Sequence, residues 1–134
     1  MGRILAIDYG EKRIGLAITD ELQIIASPLD VLPNNSEIFK NLKKLYDYYK
    51  FEKIVLGFPE YEKSKTSQEK VKNFKEKLKK EIPIEIVFFN EAFSTVYAEN
   101  FLKSLNKNFK NIKTMVDKFA AQKILEDFLK NNIR

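Results

Sequence analysis

RILAIDYGEKRIGLAITD, residues Arg3–Asp20, holds two short apolar runs joined by a tight charged turn. Ile4, Leu5, Ala6 and Ile7 are continuously apolar, the pattern of a strand covered on both faces rather than one. Asp8 closes that run, Tyr9-Gly10-Glu11-Lys12 supplies turn chemistry, and Ile14 to Ile18 return as a second strand. A carboxylate at the end of a buried central strand is costly unless a cation or hydrogen-bond donors meet it. The same residues also fit an Asx turn, with Asp8 bonding its own backbone ahead of Gly10.

The next stretch, Gln23 to Leu32, reads as a third strand bent at Ser27-Pro28, and the short links imply an antiparallel meander. Asn34 and Glu37 stand at capping-box spacing before a helix whose apolar positions are Ile38, Leu42, Leu45, Tyr46 and Tyr49. Sharing that stripe makes the tyrosines core rather than a base-stacking platform. KIVLG (53–57) is a further apolar strand, followed by a polar loop over residues 60–67. Thr66 and Glu69 mark a second capping box for a helix to about Glu81. Its stripe is thin (Val71, Phe74, Leu78) among many lysines, as in an edge helix mostly in water.

IEIVFF (84–89) is the last strand and runs into Asn90-Glu91-Ala92-Phe93-Ser94-Thr95. Ser94 or Thr95 is expected to cap a helix to about Asn106, and residues 106–111 form a polar break. A final helix then carries Val116, Ala120, Ile124 and Phe128 along one face. The order βββαβαβαα implies an α/β fold: a mixed five-stranded sheet, three strands in a meander and two parallel by crossover, with helices on both faces. Ligands of such sheets gather beyond the carboxyl ends of the parallel strands, where Asp8 and Glu91 both fall. Residues 1–134 read as one domain.

Composition narrows the chemistry. The 134 residues contain neither cysteine nor histidine, so disulfides, Cys/His zinc sites, thiol nucleophiles and histidine triads are excluded. Carboxylates, lysines, hydroxyls or a hard metal must do any chemistry. No apolar stretch approaches the roughly 20 residues that span a bilayer. With no signal-peptide pattern either, a cytoplasmic protein without membrane contact is expected. Lys plus Arg is 24 against 19 acids, a net +5. Much of the excess lies in Lys63 to Lys80, which fits a polyanionic partner. A merely solvated lysine face explains it equally simply.

Two acids at strand ends need a third to hold a divalent ion well, and Asp117, in Thr114-Met115-Val116-Asp117, is the candidate. Thr114 and Asp117 are also at capping-box spacing, so a helix cap is the competing reading. Asp8-Tyr9-Gly10 followed by Lys12-Arg13-Ile14-Gly15-Leu16-Ala17 and Asp20 resembles the opening motif of the YqgF family. Val55-Leu56-Gly57-Phe58-Pro59 and Asn90-Glu91-Ala92-Phe93-Ser94-Thr95 resemble its next two motifs. Val116-Asp117 with Ala120-Ala121 and Ile124-Leu125 resembles its C-terminal helix motif. Three departures stand out: Asn90 replaces the family's acid, Ala92 replaces its arginine, and a glycine expected soon after Pro59 is absent.

The resemblance implies a ribonuclease H-like fold, similar to that of Holliday junction resolvases. It also implies a metal-dependent nuclease that matures the 5′ end of pre-16S rRNA in ribosome biogenesis. Carried over position by position, Asp8, Glu91 and Asp117 become the catalytic acids and ligands of Mg²⁺ or Mn²⁺, in a two-ion site. Phosphodiester hydrolysis without histidine suits two hard cations roughly 4 Å apart, held by carboxylates. Lys12, Arg13, Lys63, Lys65, Ser94 and Thr95 are the expected nucleic-acid contacts, holding backbone rather than reading sequence. The partner is pre-rRNA or branched DNA, and the chain a monomer or weak homodimer. A catalytically weak or inactive nucleic-acid-binding module of the same fold is the alternative, supported by positions 90 and 92.

Overall fold

Five apolar runs pair into one sheet. They are β1 (Ile4–Asp8), β2 (Arg13–Thr19), β3 (Ala26–Pro33), β4 (Lys53–Phe58) and β5 (Glu85–Asn90). The computed structural model describes residues 2–58, 65–90 and 109–131, with the backbone alone at 65, 90 and 109–118. The strand order is β3-β2-β1-β4-β5. β1–β2 and β2–β3 are antiparallel, whereas β1–β4 and β4–β5 are parallel, so the mixed sheet expected from the element order is present. β1 is central and buried from Ile4 to Ile7.

Side-chain alternation sorts the sheet into two faces. Leu5, Ile7, Ile14, Leu16, Ile54, Leu56 and Ile86 pack against α1 (Ile38–Tyr49) and α2 (Lys65–Glu81). The alternate residues Ile4, Ala6, Ala17 and Val55 pack against Ala121, Ile124, Leu125 and Phe128 of α3 (Phe109–Asn131). Burying each large aliphatic side chain stabilises by roughly 1.5–3 kcal/mol, enough to explain why β1 lies between both layers. The thin stripe of α2 suffices, since Val71, Phe74 and Leu78 are all buried. Among the described residues no helix is long and apolar enough to cross a membrane.

Several local expectations are corrected. α1 begins at Ile38, and its N-cap Glu37 receives no side-chain cap bond; the Asn34 amide instead donates to the Gly10 carbonyl at 2.8 Å. Asn35 Oδ1 takes over locally by accepting the Glu37 N–H at 2.9 Å. α2 already includes Lys65, so Thr66 lies inside the helix. α3 starts at Phe109, before the end of the expected break, because no proline or glycine interrupts residues 109–131. Thr114 is therefore an interior helix residue, and the reading of Asp117 as an N-terminal capping partner falls away. Strand β3 holds a bulge where β2 passes from Leu16 to Ala17, with Pro28 tolerated because β3 is an edge strand. The helix expected between Ser94 and Asn106 lies outside the described residues.

Candidate active site

Asp8 is half-buried at the carboxyl end of the central strand and continues the Ile4–Ala6 series, the face that α3 covers. Its partner across β2 is Gly15. On the other side the β1–β4 register runs to Ile7 opposite Leu56, so the next residue, Gly57, adjoins Asp8. Both glycines are buried strand residues. The carboxylate thus stands between two positions without side chains, in a row that continues to Phe89 of β5, the register partner of Gly57. Two strand spacings separate Asp8 from that row's end, about 10 Å between Cα atoms. A glycine inside an apolar strand signals close approach, and that signal marks both positions in the sequence.

The turn after Asp8 is held rigidly. A Cβ on Gly10 would sit 2.4 Å from the Arg13 carbonyl oxygen, so only glycine lets the chain reverse this tightly. The Asn34 side chain donates to Gly10 O, and the Asn34 backbone N–H donates to Lys12 O at 2.9 Å. Tyr9 packs on Phe74 of α2 with ring centroids 5.0 Å apart. Lys70 Nζ donates to Glu11 Oε1 at 2.7 Å, and that hydrogen bond, then the Glu11 charge, raises the lysine's pKa above its ordinary value. Asp20 accepts the Ile24 and Ile25 N–H groups at 2.8 and 2.9 Å. Those bonds, Ile25 first, lower its pKa.

Of the other sequence candidates, Arg13 opens β2 two residues before Gly15 and shares the Asp8 face of the sheet by alternation. Lys12 is exposed in the turn. Asp117 lies on α3, four residues before Ala121, which packs on the sheet face that Asp8 continues, and three before the buried Ala120. β5 ends at Asn90, one residue before Glu91. Glu91, Lys63, Ser94 and Thr95 fall outside the described residues, and Lys65 is placed only as the first residue of α2. Among the described residues no group of three or more histidine, cysteine or carboxylate side chains is assembled. Sequence reasoning missed the two glycines flanking Asp8 and the clamp by Asn34.

The fold has counterparts among known proteins. Two solved resolvases share the fold. The fowlpox virus Holliday junction resolvase matches with a TM-score of 0.58 at 12% identity, covering 98% of this chain and 99% of that one. Thermus thermophilus RuvC, solved in complex with a Holliday junction substrate, matches with a TM-score of 0.54 at 10% identity, covering 90% and 92%. The sheet and its flanking helices are thus of the ribonuclease H-like type. Two bacterial relatives are named candidate pre-16S rRNA nucleases. The Fusobacterium nucleatum protein is 43% identical over 136 residues, covering 96% of this chain and 97% of its own. The Sulfurihydrogenibium protein is 38% identical over 133 residues, covering 96% and 90%. The family model described as "RuvX: Holliday junction resolvase" matches residues 2–131, and the chain belongs to that family of nucleases.

Proposed function

We propose that residues 1–134 act as one metal-dependent nuclease domain that hydrolyses phosphodiester bonds during 5′-end maturation of pre-16S rRNA. The observation that carries this reading is Asp8: a half-buried carboxylate at the end of the central strand, with glycines on both sides. A carboxylate oxygen donor suits Mg²⁺ or Mn²⁺, which keep part of their water shell. Glu91 and Asp117 complete the set. Glu91 follows Asn90, the last residue of β5, at the carboxyl end of that strand's parallel pair with β4. The helical register of Asp117 with Ala121 supports the Asp8 face for that acid. Such ions, when bound, supply an activated water and neutralise charge on the phosphate.

The chain's own residues do the rest. The clamped turn fixes Asp8, Arg13 offers a cation on its face, and Lys12, Lys63, Lys65, Ser94 and Thr95 hold the backbone. A protein of the cytoplasm, monomeric or weakly dimeric, fits this role. The substitutions at Asn90 and Ala92 favour a second reading, a weak or inactive binding module, since losing an arginine removes a phosphate clamp. The deciding experiment incubates the purified protein with Mn²⁺ on a pre-rRNA leader and on a four-way DNA junction. Cleavage of the leader that disappears in Asp8→Asn is expected. Binding without cleavage of either substrate would establish the second reading.

A further inference from the structure

On the face of the sheet opposite Asp8, a cavity of about 390 Å³ opens between the start of α1 and the middle of α2. Its size is at the small end of the roughly 300–1,000 Å³ usual for sites that take one small molecule. Tyr9 and Phe39 line it and both pack on Phe74, with ring centroids 5.0 and 5.2 Å from it. Phe74 is 5% exposed and braces the other two, which remain half-buried and keep ring surface toward the opening. Lys70, Asn73 and Lys77 line the α2 side, and none of the described lining residues is acidic. Glu11 reaches Lys70 from the turn and holds its ammonium group in place.

That combination of rings, an amide and two lysines, Lys70 paired with Glu11 and Lys77 beside it on α2, fits an aromatic heterocycle carrying a phosphate. Aromatic faces accept any base, lysines accept phosphate, and an asparagine bonds base edges. A base stacked inside a duplex cannot reach into a cavity between two helices, whereas an unpaired one can. Position matters as much as composition. Asp8 and Tyr9 are consecutive, yet Asp8 continues the series facing α3 while Tyr9 packs on α2. A strand crossing the carboxyl edge of the sheet would meet both. We propose that this cavity receives one unpaired nucleotide of the substrate strand, its base against Tyr9 and Phe39 and its phosphate between Lys70 and Lys77. The inference rests on the nuclease reading for nucleic acid as the substrate, and adds that the substrate must offer a single-stranded flank.

The test measures equilibrium binding, with cleavage suppressed by Asp8→Asn, of a blunt RNA duplex and the same duplex bearing a single-stranded overhang. Adenosine monophosphate serves as a free-nucleotide competitor. Asn73→Trp fills the cavity and Lys77→Glu reverses one cation, both at exposed helix positions that leave the core alone. Lys44→Glu, on exposed α1 surface, controls for net charge. The expected result is roughly tenfold preference for the overhang, lost in Asn73→Trp and Lys77→Glu and kept in Lys44→Glu. A 4-thiouridine in the overhang should crosslink to Tyr9 or Phe39. Equal binding of both RNAs, or equal losses from Lys77→Glu and Lys44→Glu, overturns the cavity proposal while leaving the nuclease reading intact. Competition by the mononucleotide without any overhang preference identifies a free-nucleotide site instead and overturns the strand assignment. Failure to bind either RNA overturns both.

Discussion

Asp8 and Gly15 face each other across the β1–β2 ladder, so the residue directly opposite the carboxylate carries no side chain. Directly opposed residues of an antiparallel pair have Cβ atoms about 4.5–5.5 Å apart, so any side chain at position 15 stands beside Asp8. Gly15→Val suits a strand by propensity and should fold. At this buried position it is expected to cost about 1–3 kcal/mol of stability and to lower cleavage by roughly a hundredfold. Parallel cleavage and urea-unfolding measurements test this; full activity in a folded Gly15→Val would show that the reaction does not depend on a bare position 15.

Gly10 and Gly2 give opposite expectations from similar-looking contacts. A Cβ on Gly10 meets the Arg13 carbonyl oxygen at 2.4 Å, a backbone atom that cannot step aside. On Gly2 the nearest atom is Glu52 Oε1 at 3.1 Å, the far end of an exposed side chain. Gly10→Ala should destabilise by about 3 kcal/mol, the upper part of the overpacking range. It should also impair cleavage, because the turn it distorts positions Asp8. Gly2→Ala should be nearly silent. Thermal melts of the two variants side by side decide the matter.

Much of this arrangement is legible in the chain because its strands are short apolar runs with clear punctuation. β1, β4 and β5 read directly from Ile4–Ile7, Lys53–Gly57 and Ile84–Phe89, and the element order implied the mixed sheet. The register of Asp8 between Gly15 and Gly57 was not legible, since pairing is set by contacts distant in sequence. Asn34 misled for the same reason. Its local spacing to Glu37 suggested a cap, but the Gly10 carbonyl brought near by folding captured the amide. The start of α3 was misplaced because residues 106–111 are polar without containing a true helix breaker. Of the three acids, Asp8 alone has a described side-chain environment, and its strand-end position is what the opening motif implied.

Thr19 is a buried hydroxyl whose Oγ1 accepts the Ile4 N–H at 2.8 Å, beside the Leu5–Ile18 pair of the β1–β2 ladder. Thr19→Val keeps the shape but leaves that N–H without a partner. A loss of about 1–3 kcal/mol in unfolding free energy is expected. Thr19→Ser, which retains the oxygen, should lose much less, whereas a Thr19→Val variant as stable as wild type would show that the bond to Ile4 contributes nothing.

Asp20 contributes to the acid-side dependence of stability. Its pKa in the folded protein is lowered from the ordinary 3.8 by the Ile25 and Ile24 N–H groups. A lowered folded pKa contributes stability that is fully present above 3.8 and is lost as pH falls through the folded value. Asp20→Asn lacks the charge but keeps an acceptor. Wild type should therefore melt above the variant at neutral pH, and the two curves should converge as pH drops below the lowered pKa. Melting temperatures across an acid pH series test the sign; a gap that widens toward acid would contradict it.

Lys72 and Lys75 project from α2 over the carboxyl ends of β4 and β5, with their ammonium groups 5.9 and 4.8 Å from the Phe58 and Phe88 ring centroids. Those rings touch each other at 5.0 Å, so both cations are held along the edge of the sheet where the substrate is proposed to pass. Each phosphate a lysine neutralises adds roughly 0.7 to 0.9 to the slope of log affinity against log salt. Replacing both by glutamine should flatten that slope by between one and two and weaken all sequences alike. The fold should stand, because cation–π pairs at the surface contribute little. Fluorescence anisotropy at several salt concentrations reads the slope directly. An unchanged slope would place the phosphate contacts elsewhere than along this edge of α2.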